Sequence, residues 1–179
     1  MKVAITGHTK GFGKSLYNLL STEYECFGFS RSNGFDLHDP NTLQSILDIN
    51  PDVFINNAAV NQTLLLQKTY DAWKLTEKSI VNIGSYITEL STVPEHRKVY
   101  YENKIQLARL SKLISNRKET LRCMLFVPGT INTKSALEAK SYILNQNMES
   151  WMDPDYLAKV VRFMILSPYT ITDLKICQN

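Results

Sequence analysis

The sequence predicts an α/β fold, a parallel sheet with helices packed on both faces. Three observations carry this expectation. The apolar run Val3–Ile5 leads straight into Thr6-Gly7-His8-Thr9-Lys10-Gly11-Phe12-Gly13, and the amphipathic run Ser15–Leu20 leads straight out. Short continuous apolar runs such as Val53-Phe54-Ile55 suit strands buried on both faces. Helical patterns alternate with these runs along the whole chain. The opening turn also has a chemistry. Glycine takes positive φ without steric cost and lets a ligand approach the backbone. The helix that follows offers unpaired N–H groups and the positive end of its dipole, which suits a phosphate. The turn therefore reads as a site for the pyrophosphate of a dinucleotide, although its Gly-x-x-x-Gly-x-Gly spacing differs from the common Gly-x-Gly-x-x-Gly fingerprint.

Length and composition bound the rest. A chain of 179 residues favours one domain, residues 1–179. Hydrophobic content of 44% is enough for a real core. A net charge of +3 gives no electrostatic case for nucleic acid. No apolar run is long enough to span a bilayer, and Lys10 and Lys14 interrupt any signal-like segment, so a cytoplasmic location is expected. Cys26, Cys123 and Cys177 lack metal-ligand spacing, and their odd number argues against a closed disulfide framework. No metal is expected, and Cys26 and Cys123 read as buried free thiols in strands.

The elements follow in order. Strands are expected at Lys2–Thr6, Glu25–Ser30, Val53–Asn56, Ser79–Ile83, Leu121–Val127 and Ile171–Cys177. Helices are expected at Gly13–Ser21, Thr42–Asp48, after Asn61, at Arg97–Asn116 and at Tyr156–Leu166. Asp39 or Asn41 can cap the second helix, and Asp153-Pro154-Asp155 starts the last. Apolar faces are read from Leu43, Ile46 and Leu47, from Leu64, Leu65, Tyr70 and Trp73, and from Leu107, Leu110, Leu113 and Ile114. Tyr100 and Lys104 stand at i and i+4, so they share a helix face. Ser85 emerges at the carboxyl end of its strand, the edge where open α/β sheets bind ligands.

Five motifs then occur in one order: Thr6-Gly7-x-x-x-Gly11-x-Gly13, Asn56-Asn57-Ala58-Ala59, Asn82-Ile83-Gly84-Ser85, Tyr100-x-x-x-Lys104 and Pro128-Gly129-Thr130-Ile131-Asn132-Thr133. Together they resemble the short-chain dehydrogenase/reductase family, over a span from Lys2 to about Pro168. The resemblance implies a Rossmann-type doubly wound sheet and a nicotinamide cofactor. It also implies hydride transfer between that cofactor and a small carbonyl or alcohol substrate, and a homodimer or homotetramer. It assigns Tyr100 as proton donor and Lys104 to the nicotinamide ribose and the phenol. Ser85 would hold the substrate oxygen. A nearby ammonium favours a phenolate and so is expected to lower the tyrosine pKa. The same resemblance puts Gly7, Thr9, Lys10, Gly11, Phe12 and Gly13, then Asn57, Ala58 and Ala59, then Pro128, Gly129, Ile131 and Thr133 against the cofactor. A variable substrate lid is expected near 133–152.

The passage between Asn57 and Ser85 is shorter than in the family. Asn61 is read either as the active-site Asn that holds a water beside the lysine or as a simple helix cap. Asp36 is read either as an adenine contact or as a turn cap. Cofactor choice is carried by Ser30-Arg31-Ser32 at the end of the second strand. An NAD-type site commonly has a carboxylate there, and none lies between Phe29 and Asn33. Arg31 can bind a 2′-phosphate bidentately and Lys10 adds charge, so NADP(H) is expected over NAD(H) unless both are ordinary surface cations. Two other functions remain open. One is a non-catalytic NADP-binding sensor or scaffold, which the shortened passage favours. The other is reduction of a nucleotide-sugar, for which the chain is short.

Overall fold

The computed structural model describes residues 1–117, 119–134, 136 and 151–177. Its strands are β1 (Lys2–Thr6), β2 (Glu25–Phe29), β3 (Val53–Asn56), β4 (Ser79–Ile83), β5 (Arg122–Pro128) and β6 (Asp173–Ile176). Its helices are α1 (Gly11–Leu20), α2 (Pro40–Ile49), α3 (Gln62–Trp73), α4 (Lys98–Ser115) and α5 (Pro154–Leu166). All six strands are parallel, in the order β2-β1-β3-β4-β5-β6. The winding reverses between β1 and β3, which opens a crevice beyond their carboxyl ends. Lid residues 137–150 lie outside the described residues.

Two half-cores flank the sheet. On one face α1 and α5 cover Val3, Ile5, Ile55, Val81 and Met124. On the other, α2, α3 and α4 cover Ala4, Phe54, Ile80 and Cys123. Every residue of β3 and β4 is buried, as expected of strands covered on both sides. Asp39 and Asp153 cap α2 and α5, each accepting from the N–H two residues on at 2.9 Å, with a proline at the first helical position. Among the described residues no helix is long and apolar enough to cross a membrane.

Two apolar assignments differ from expectation. Leu113 is exposed, and the buried stripe of α4 is Lys104, Leu107, Ser111 and Ile114. Those four recur at the helical spacing of three and four, and Leu113 falls outside it. Leu64 is exposed too, and Gln62, Leu65, Leu66 and Thr69 turn inward instead. In both helices a polar side chain occupies a place that an apolar count cannot see. Cys123 is buried, with its thiol pushed up to about 12 by burial, whereas Cys26 is only half-buried.

Candidate active site

The crevice begins at the glycine turn. Gly7 and Gly11 both lie in the left-handed region, with φ of 69° and 51°. Gly13 is needed for close approach: a Cβ there would lie 2.2 Å from the Gly7 carbonyl oxygen and 2.5 Å from Asn57 Nδ2. The turn is fastened to β3 by Thr6. Its Oγ1 accepts from the N–H groups of Asn57 and Ala58 at 2.9 and 3.0 Å, while Asn57 Nδ2 donates to the Thr6 carbonyl at 2.9 Å. No side chain caps α1 and no acid lies in its first turn. Its first N–H groups are therefore free to meet an anion in the crevice. The tight glycine cradle and uncapped helix fit a dinucleotide pyrophosphate.

Two adjoining cavities share Gly7, Lys10 and Ala58. The first, about 440 Å³, is lined by Gly11, Phe12, Gly13, Asn57, Ala59, Ser85, Tyr100, Lys104, Pro128, Gly129, Ile131 and Thr133. The second, about 650 Å³, is lined by Thr9, Ser30, Arg31, Ser32 and Asp36. The structure thus brings together every residue singled out in the sequence except Asn61. The Pro128–Thr133 segment is held by Met152, whose N–H donates to the Thr130 carbonyl at 2.8 Å and whose carbonyl accepts from Asn132 at 2.9 Å.

In the second cavity Ser32 Oγ donates to Thr9 Oγ1 at 3.2 Å and lies 2.9 Å from Ser30 Oγ, so a row of hydroxyls joins the glycine turn to the end of β2. Among the described residues neither Arg31 nor Lys10 has a side-chain partner. Asp36 lines this cavity, and its Oδ1 accepts from the His38 N–H at 3.0 Å, as a turn cap does.

In the first cavity Tyr100 is half-buried, and Ser85 and Arg97 line the same wall. Burial raises the phenol pKa, offset in part by Ser85 and by the charge of Arg97. The expected lowering by Lys104 is not what the structure shows. The Lys104 ammonium lies 5.5 Å from the centroid of the Tyr100 ring, and burial lowers its own pKa to about 7.

Asn61 is the residue that sequence reasoning misplaced. It enters α3 at φ 52° and its side chain does not cap the helix. Instead its Nδ2 donates to the Leu37 carbonyl at 3.0 Å and meets His38 Nδ1 at 3.1 Å, rather than turning to the lysine. The next residue, Gln62, turns inward. Its Oε1 accepts from Lys104 Nζ at 2.7 Å, and its Nε2 donates to the carbonyls of Asn56 and Ile83 at 2.7 and 3.1 Å. Lys104 Nζ also donates to the Ile83 carbonyl at 2.7 Å, and Asn56 Nδ2 closes the network onto Gln62 O and Asn82 Oδ1. Consecutive helical residues point about 100° apart, so a one-residue choice decides which side chain meets the lysine. A glutamine at the start of α3 was visible in the sequence, but its direction was not.

Gln62→Leu should destabilise the fold by about 2 kcal/mol, since buried partners lose their hydrogen bonds. Urea unfolding checks this, and the loss should be smaller when Lys104 is already Met. Equal losses in both backgrounds would mean that the 2.7 Å bond contributes nothing to stability.

No family model and no curated protein matches the chain. Solved structures do. A 4-hydroxyisoleucine dehydrogenase mutant complexed with NADH and succinate is 19% identical, with a TM-score of 0.80 over 100% of this chain and 98% of that one. The 3-alpha-hydroxysteroid dehydrogenase from Pseudomonas sp. B-0831, complexed with NADH, is 16% identical, with a TM-score of 0.77 over 99% and 95%. A short chain dehydrogenase from Burkholderia cenocepacia J2315, in complex with NADP, is 15% identical, with a TM-score of 0.72 over 98% and 95%. At these identities the likeness is one of architecture, and the chain has the Rossmann-like α/β fold of the short-chain dehydrogenase structures.

Proposed function

We propose that this chain is a short-chain dehydrogenase/reductase that uses NADP(H) to reduce a carbonyl or oxidise an alcohol of a small molecule. One observation carries the reading: Ser85, just beyond β4, and Tyr100 and Lys104 on α4 line the same cavity as the glycine turn. The dehydrogenase names of the similar structures support it. A bound nicotinamide would supply the hydride. The chain's own residues do the rest. The N-terminus of α1 holds the pyrophosphate, and the Thr9–Ser30–Ser32 hydroxyls with Arg31 and Lys10 receive the phosphorylated ribose end. Lys104 keeps one N–H beyond those given to Gln62 and Ile83, and that proton serves the nicotinamide ribose. Ser85 orients the substrate oxygen and Tyr100 delivers the proton to it. With Tyr100 raised rather than lowered in pKa, the phenol is held protonated at neutral pH, which suits the reductive direction.

Incubation with NADPH and a panel of aldehydes and ketones tests the reading. Tight NADPH binding with no turnover of any carbonyl would instead favour a cofactor-binding sensor.

Cofactor choice has its own test. The 2′-phosphate of NADP carries close to two negative charges, and Arg31 and Lys10 face its expected place without internal partners among the described residues. A charge-assisted contact contributes about 1.5–3 kcal/mol, so the two together give NADPH a preference of about a hundredfold or more over NADH. Arg31→Ala should erase most of that preference and barely alter NADH binding. Titration of both cofactors against both proteins at fixed ionic strength measures it. Equal wild-type affinities would reduce Arg31 and Lys10 to surface charges.

A further inference from the structure

Arg97 has no part in the roles assigned above, yet it sits where a substrate would. It precedes α4 directly, three residues before Tyr100, and so lies on the same side of the helix end. It is half-buried and lines the cavity that holds Ser85, Tyr100 and Lys104. Its charge reaches the Tyr100 phenol. Of the acids nearest to it in the chain, Glu95 pairs with Lys98, Glu102 is exposed on α4 and lines no part of this cavity, and Glu89 pairs with Lys175 at 2.8 Å. Among the described residues Arg97 has no side-chain partner, and no acidic side chain lines this cavity. A half-buried guanidinium without an internal anion is suited to an external one.

We infer that the substrate is a short oxo acid, or the matching hydroxy acid, whose carboxylate is bound by Arg97 while its carbonyl or hydroxyl meets Ser85 and Tyr100. This rests on the oxidoreductase reading above. The other two cations of the cavity are not free for the substrate. Lys104 gives two of its protons to Gln62 and Ile83, and Lys10 lies in the glycine turn beside the pyrophosphate site. One planar guanidinium matches a carboxylate in a bidentate pair, whereas a phosphate dianion calls for more donors. The close spacing of positions i and i+3 on a helix puts the carboxylate a few atoms from the reacting carbon. Ile87, Leu90 and Ile131 give the remaining wall an apolar character that suits a short aliphatic chain.

The test compares 2-oxobutanoate with its neutral isostere 2-oxobutanamide, and with dihydroxyacetone phosphate, in NADPH oxidation by wild type, Arg97→Met and Arg97→Lys. Wild type should favour the acid over the amide by about 10- to 100-fold in kcat/KM, carried mainly in KM, the scale of one charge-assisted contact. Arg97→Met should bring that ratio close to one, and Arg97→Lys should keep part of it. A wild-type ratio near one, a ratio that Arg97→Met leaves unchanged, or a preference for the phosphate would overturn the inference. Calorimetric titration of 2-oxobutanoate, with and without NADP⁺, separates this result from the parent reading. Binding that Arg97→Met weakens, in a wild type that turns over no carbonyl, supports the anion site and overturns hydride transfer. Binding that the variant does not weaken overturns the anion site itself.

Discussion

Tyr100→Phe will lower carbonyl reduction by at least about a hundredfold, the usual scale of acid–base catalysis. The substitution keeps the ring, and with it the 5.5 Å approach of the Lys104 ammonium to the ring centroid. It removes the phenol hydroxyl, the group proposed to deliver the proton. Cofactor affinity should stay nearly unchanged, because the proposed ribose contact belongs to Lys104 and the proposed pyrophosphate contacts to the glycine turn. The loss should therefore appear in kcat. Rates with a saturating carbonyl substrate, together with a cofactor titration, measure both quantities. A variant with full activity would remove Tyr100 from the chemistry and leave the cavity as a binding site.

Lys104→Met will abolish turnover and weaken cofactor binding, and it will also change how stability depends on pH. The lysine is 3% exposed, and burial lowers its pKa to about 7 from an ordinary value of 10.5. Below pH 7 the folded and unfolded chains both carry the proton, so the burial cost is constant. Between pH 7 and about 10 the unfolded chain holds a proton that the folded chain has released, so stability rises with pH. From pH 7 to pH 9 the gain from this group is about 2 kcal/mol. Above the unfolded pKa both forms are neutral and the rise stops. Lys104→Met should lack this rise, and the difference between the two unfolding curves across pH isolates it. Identical slopes would mean that Lys104 titrates as an ordinary surface lysine and that its bonds to Gln62 and Ile83 do not hold it dry.

Both predictions draw on residues that are legible in the sequence. The glycine turn, Ser85, Tyr100 and Lys104 are recognisable because each is fixed by a local constraint. A backbone that must turn tightly selects glycine, a strand end presents the next side chain to the crevice, and a helix sets i and i+4 on one face. β3 and β4 likewise span the residues expected from the sequence, Val53–Asn56 and Ser79–Ile83. α1 starts two residues earlier than read, at Gly11, because the last glycines of the motif already belong to the helix.

Direction and environment belonged to the tertiary structure. Asn61 and Gln62 are adjacent amides with similar chemistry, and nothing in their spacing tells which meets the lysine. Packing of α3 against α4 turns Gln62 inward and leaves Asn61 on Leu37 and His38. Leu113 and Leu64 fail as core residues because the buried stripes of their helices include Lys104 and Gln62, whose polarity is satisfied only by partners distant in the chain. The phenol pKa moved opposite to expectation because desolvation outweighs charge once Tyr100 is enclosed, a balance that depends on every neighbour. By itself the sequence determined the order of elements, the glycine cradle and the identity of the polar side chains that meet in the crevice, since these follow from spacing along the chain. The tertiary structure alone decided which polar groups pair, that Arg97 has no partner among the described residues and how far burial shifts Lys104, since these follow from what distant segments bring to the same place.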